Sequence, residues 1–228
     1  MKLFNDQQKI SVGYFEHDSL LHKSMEQPFE KIAMNDFGCP SVGAIKDRIF
    51  QSYPAISIEV EFGYYKDDPI YNYKILGSKQ NDLIHNIIKD RLNIQETKSG
   101  KCVLQYTDSK ILVTNHKDLE VTVLQPQENI EKENCVFISG SFNLYAWLRP
   151  LNSAFIQVDP NKMSKVVFNI DKPLYSIFFN KAVDLQEIEP NKKVLSYLGN
   201  TYGITQYQSN IKKIFPKIIK KRPKEFLL

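Results

Sequence analysis

Hydrophobic and polar residues alternate with a strict period of two from Ala55 to Tyr65. Ile56, Ile58, Val60, Phe62 and Tyr64 fall on one side, and Ser57, Glu59, Glu61 and Gly63 on the other. Side chains of a strand point alternately to its two faces, so the pattern predicts a half-buried strand. The turn-prone Lys66–Pro69 segment predicts Ile70–Leu76 as its partner. The period then changes. Leu83, Ile84, Ile87, Ile88 and Leu92 recur at helical spacing, which predicts an amphipathic helix of about four turns.

The same reading extends along the chain. Lys9–Phe15 predicts a first strand, and a helical stretch follows through Met25, interrupted at Pro28. Ser41 has the side chain of an N-cap, and Val42, Ile45 and Ile49 recur behind it at helical spacing up to Tyr53, where Pro54 ends the helix. From Lys101 to about Phe179 short apolar runs predict strand after strand: Cys102–Tyr106, Ile111–Asn115, Leu119–Leu124, Cys135–Ser139, Leu144–Leu148, Ala154–Val158, Lys165–Ile170 and Leu174–Phe179. Turn-prone segments such as Thr107–Ser109, Asp159–Asn161 and Asp171–Pro173 separate them. Connections this short favour antiparallel pairing over βαβ winding. Gln125–Asn134 is the most polar stretch, a candidate long loop or sub-boundary, and residues 185–221 return to helical spacing. The pattern as a whole predicts a single α+β domain over residues 1–228. It has mainly antiparallel sheet in the middle of the chain, N-terminal helices and a basic helical C-terminus.

Composition adds little to that picture. The apolar share of 42% and charged share of 25% are those of a globular protein. No apolar run approaches the length of a membrane span, and the first ten residues lack the apolar core of a signal peptide. Cys39, Cys102 and Cys135 are odd in number and widely spaced, which fits reduced thiols in the cytoplasm better than a disulfide frame or a zinc site.

Charge changes it more. The chain carries 30 Lys+Arg against 26 Asp+Glu. Seven of those bases, Lys212, Lys213, Lys217, Lys220, Lys221, Arg222 and Lys224, fall in one segment that contains no acid. Setting them and Glu225 aside leaves 23 bases against 25 acids in residues 1–211, a body near −2. Basic character concentrated in this way points to a polyanionic partner. Ile211, Ile214, Phe215, Ile218 and Ile219 recur at helical spacing among the lysines, so a helix kinked at Pro216 would dock an apolar stripe and turn its lysines outward. Lysines contact phosphates without reading bases, so the implied binding is salt-dependent and weakly specific. The same pattern also suits an anionic membrane surface, an acidic protein groove or a solvated helix end.

Two further constellations could carry chemistry. In Leu144–Arg149, read as a strand, Tyr145, Trp147 and Arg149 share a face on which unpaired bases could stack, although aromatic residues also serve as ordinary core. Glu59 and Glu61 project from one face of their strand. With Asp36 or Asp47 they could hold magnesium or manganese through hard oxygen ligands, or they could simply be the wet face of the strand. The string Ile45–Gly63, IKDRIFQSYPAISIEVEFG, resembles the segment of type II restriction endonucleases in which a helix leads into a strand reading roughly E-V-[EQ]-F-G. That resemblance implies a metal-dependent, PD-(D/E)XK-like nuclease. It departs from the pattern at Gly43, where such segments tend to place the metal-binding Asp, and in the strand that follows.

Other chemistries find no support. Gly38 and Gly43 have the spacing of a phosphate loop, but Ala44 and Ile45 stand where Lys and Ser/Thr are needed. No G-x-G-x-x-G occurs. His17, His22, His85 and His116 lack ligand spacing, and Ser139-Gly140-Ser141 is not a nucleophile elbow. The sequence therefore predicts a cofactor-free nucleic-acid-binding protein or complex subunit. A nuclease and an assembly protein with a protein partner stand as alternatives.

Overall fold

The computed structural model describes residues 9–16, 28–32, 45, 47–77, 82–126, 128, 130–145, 148–202 and 222. Strands make up 53% of it and helix 11%, so the protein is mostly β and the α+β expectation is corrected. Fifteen strands form three sheets, and two short helices accompany them, among the described residues.

The predicted hairpin is present. β4 (Ile58–Tyr65) pairs with β5 (Asp68–Ile75) from Ile58↔Ile75 to Tyr65↔Asp68. Ile58, Val60 and Phe62 are fully buried, while Glu59 and Glu61 stay on the wetter face. Each such burial contributes about 1.5–3 kcal/mol relative to exposure. Lys66 and Asp67 make the two-residue turn with φ of 51° and 71°, the left-handed pair that matches the twist of the strands. Beyond β4, β13 (Ser164–Phe168) and the two-residue β9 (Lys132–Glu133) complete a sheet ordered β5-β4-β13-β9.

The largest sheet is built around one strand, β7 (Cys102–Thr114), ordered β10-β12-β7-β1-β15. Its members are β10 (Cys135–Phe137), β12 (Pro150–Gln157), β1 (Ile10–Glu16) and β15 (Val183–Glu187). β6 (Leu92–Glu96) shares with β1 the edge of β7 opposite β12. β1 and β15 run parallel, whereas its other pairings are antiparallel. The expected break at Thr107–Ser109 is instead a bulge inside β7: the register against β12 slips between Thr107 and Ile111, and Asp108, Ser109 and Lys110 occupy the slack, all buried. The third sheet is ordered β11-β8-β14-β3-β2, from Gly140–Asn143, Glu120–Leu124, Tyr175–Phe179, Ile49–Ser52 and Glu30–Lys31 respectively.

Two helical expectations fail for the same physical reason. Ile45 and Ile49 stand four apart, but Phe50 and Ser52 are buried and alternate with Ile49 and Gln51, so Ile49–Ser52 is a strand paired with β14. The stretch expected to be helical from residue 185 opens instead with the end of β15, where Val183 and part-buried Leu185 alternate with exposed Asp184 and Gln186. The helix expected from Leu83 to Leu92 is present as α1 (Asp82–Arg91), and Leu92 opens β6 immediately behind it. The expected helix through Met25, and Ser41, the expected N-cap of the helix running to Tyr53, lie outside the described residues, as does the segment 203–221.

α2 (Lys192–Tyr202) does follow helical spacing. Asn191 caps it, its Oδ1 accepting from the backbone N–H groups of Lys193 and Val194 at 3.0 Å each. Val194, Tyr197 and Leu198 pack on Phe15, Ile111, Val113 and Leu148, a second core on the outer side of the largest sheet. Val12, Tyr14 and Leu112, the alternating residues of the same strands, face the main core between the sheets.

Candidate nucleic-acid interface

Three segments meet at the C-terminal end of β7. The strand ends at Thr114, the loop behind it is tied to the end of β11 by Asn143 Nδ2 donating to the Lys117 carbonyl at 2.8 Å, and Leu144–Tyr145 turn away from β11 beside it. Arg222 lies in this corner. Its guanidinium carbon stands 3.4 Å from the ring centroid of Tyr145, one nitrogen donates to the Thr114 carbonyl, and the residue is 8% exposed. Tyr197 of α2 closes the corner electrostatically: burial pushes its phenol pKa up, and Arg222 opposes that rise. Burial also pulls the Arg222 guanidinium below its usual value, yet an arginine stays charged far above neutral pH. The corner is thus a buried cation held by a π face and a carbonyl dipole.

The predicted site residues separate accordingly. Tyr145 and Arg222 are brought together. Arg149 is not beside them on a strand face, because Leu144 and Tyr145 are in a turn and β12 begins only at Pro150. Its guanidinium instead lies over the Phe142 ring at 4.8 Å. The expected strand Leu144–Leu148 is therefore corrected: the run connects β11 to β12. Trp147, Lys212, Lys213, Lys217, Lys220, Lys221 and Lys224 lie outside the described residues.

The acidic pair is arranged differently. Lys165 of β13 sits directly across from Glu61 and reaches diagonally to Glu59, Nζ to Oε2 2.6 Å. The hydrogen bond to Glu59 raises the pKa of Lys165. Asp47, in the left-handed conformation at φ 62°, precedes β3 and pairs with Lys9 at 3.0 Å and with Lys31. Asp36 lies outside the described residues. No group of three or more His, Cys, Asp or Glu placed to hold a metal occurs among the described residues.

Sequence reasoning missed a buried polar cluster. Asp108 Oδ2 accepts from Ser52 Oγ and from Tyr175 Oη at 2.6 Å each, and Lys110 Nζ donates to Ser52 Oγ at 3.1 Å and to Asp108 Oδ1 at 3.3 Å. A serine beside a lysine has the composition of a nucleophile and its base. Here the serine hydroxyl donates to Asp108 and the lysine donates to the serine, so the lysine takes no proton from it. All four side chains are sealed from solvent. The cluster works as a strut joining β7 to β3 and β14 of the neighbouring sheet.

Comparison with protein-family models, curated proteins and solved structures finds no match to this chain. No helix among the described residues is long and apolar enough to cross a membrane.

Proposed function

We propose that the chain is a nucleic-acid-binding protein, or a subunit of a nucleoprotein complex, in the cytoplasm, and that its basic segment Lys212–Lys224 makes the contact. One observation carries this reading. Seven bases without an acid stand in that segment, against a remainder near −2. Attraction for a polyanion is then local to the segment rather than spread over the surface. Ammonium groups neutralise phosphates and release counterions, so affinity would be steep in salt and nearly indifferent to base sequence.

The test is binding of labelled single- and double-stranded RNA and DNA across a salt series, with the full chain and with a chain ending at Ile211. The expected result is affinity at low salt that declines steeply as salt rises and is lost in the shortened chain. No affinity at low salt, or affinity unchanged by the truncation, overturns the reading. Recovery of the chain with a protein partner in high salt, after nucleic acid is removed, would replace it with an assembly role.

A second reading, a magnesium- or manganese-dependent nuclease, draws on the adjacency of Glu59, Glu61 and Lys165. Cleavage of DNA or RNA with either metal that disappears in Glu59→Ala would establish it. The Glu59–Lys165 ion pair makes it the weaker of the two, because a metal would have to displace the lysine.

A further inference from the structure

We infer that Arg222 is the positioning residue of the basic segment, fixing where it meets the body by stacking on Tyr145 and bonding the end of β7. This rests on the reading of that segment as the nucleic-acid contact. Arg222 is the lone arginine among the seven bases. A guanidinium is planar, weakly hydrated and able to stack while it donates sideways, which an ammonium cannot do. The geometry uses each of those properties: the guanidinium carbon lies over the Tyr145 ring, 3.4 Å from its centroid, one nitrogen donates to the Thr114 carbonyl, and the residue is buried.

The seat is rigid. Thr114 is paired to Val12 of β1, and its own hydroxyl donates to the Ser11 carbonyl at 3.3 Å. Tyr197 is held by the α2 core. Arg222 therefore ties its segment to the body at one point. Charge held in place loses less freedom on binding than charge on a loose arm. Tyr145 acquires a role different from base stacking, because the guanidinium covers one face of its ring.

The experiment uses the full chain as Arg222→Ala, Arg222→Lys and Tyr145→Leu, each titrated with duplex and with single-stranded oligonucleotides over a range of salt. The expected result is that all three weaken binding about fivefold, the factor carried by one cation–π contact of ordinary strength. Duplex and single strand should weaken equally, and the slope of log affinity against log salt should stay as in the parent. The positioning role is overturned if the Arg222→Ala slope falls by about 0.9, the value of one duplex phosphate contact, and Arg222→Lys restores it. It is also overturned if Tyr145→Leu weakens single-strand binding alone, which would make Tyr145 a base platform. Unchanged affinity in all three variants removes the inference and leaves the nucleic-acid reading standing, whereas no binding by the parent at low salt removes both. Should Arg222→Ala fail to fold, Arg222→Lys and Tyr145→Leu, which keep most of the bulk, decide the matter.

Discussion

Lys110 Nζ lies 3.3 Å from Oδ1 of Asp108, two residues away on the same strand, and neither side chain reaches solvent. Burying two charges is costly, and this site offsets the cost with hydrogen bonds from Ser52 and Tyr175 to the same carboxylate. Removing one charge leaves the other stranded. Asp108→Asn is expected to lower stability by about 3–5 kcal/mol. The double variant Asp108→Asn/Lys110→Met, with both charges gone, is expected to lose less than Asp108→Asn alone. Urea midpoints of the parent and these variants, with Lys110→Met completing the cycle, check this.

The same carboxylate predicts acid sensitivity. Burial alone raises the pKa of Asp108, but the charge of Lys110 and the hydroxyls of Ser52 and Tyr175 outweigh it and hold the group below the ordinary carboxylate range. In the unfolded chain it titrates near pH ~4. Its contribution is then complete above that pH and is lost as pH falls toward the lower folded-state value. Denaturant midpoints should drop below pH ~4 in the parent, and the drop should be shallower in Asp108→Asn.

Asp67 occupies the second position of the β4–β5 turn at φ 71°. Glycine adopts that conformation without steric penalty, so Asp67→Gly is expected to stabilise the protein by about 0.5–1 kcal/mol. A rise in melting temperature would bear this out, and a fall would contradict it.

Asn134 stands at φ 51° where the chain passes from β9 to β10. Its Nδ2 donates to the carbonyls of Asp159 and Lys162 at 2.9 Å each, and its Oδ1 accepts from the Asp159 N–H at 2.9 Å. Asn134→Ala loses these bonds and strains the backbone, at an expected cost of about 2–4 kcal/mol. Asn134→Gly loses the bonds but keeps the conformation, and should unfold between the two in denaturant.

Thiol chemistry gives a fifth check. Burial pushes the Cys135 thiol up to about 11 and also raises that of Cys102. Neither is disulfide-bonded. A thiol reagent at neutral pH should leave both unmodified in the native protein and label them only after unfolding.

How far the sequence can be read follows from which forces leave a local trace. The β4–β5 hairpin was legible because alternation and turn composition agree at Lys66–Asp67. The α1 helix was legible because Ile84, Ile87 and Ile88 have no competing period. β3 and the end of β15, from Leu185, read as helix because chance four-residue spacings outweigh short alternations. β7 was split in two because Thr107–Ser109 looks like a turn, and only distant partners, Ser52 and Tyr175, make polar residues there compatible with a core. The candidate interface was half legible. Its charge stands in the sequence, whereas the seat of Arg222 is assembled from Thr114, Tyr145 and Tyr197. The one available signal was a single arginine among lysines.

The parallel pairing of β1 with β15 has a consequence in time. Ile10 finds its partner at Val183, so the largest sheet cannot close its edge until nearly the whole described chain has left the ribosome. Until then β1 presents an unsatisfied edge, and closing it requires a long loop to be ordered first. Folding should be slow for a protein of this size, and nascent chains halted before residue 183 should be the ones that depend on chaperones.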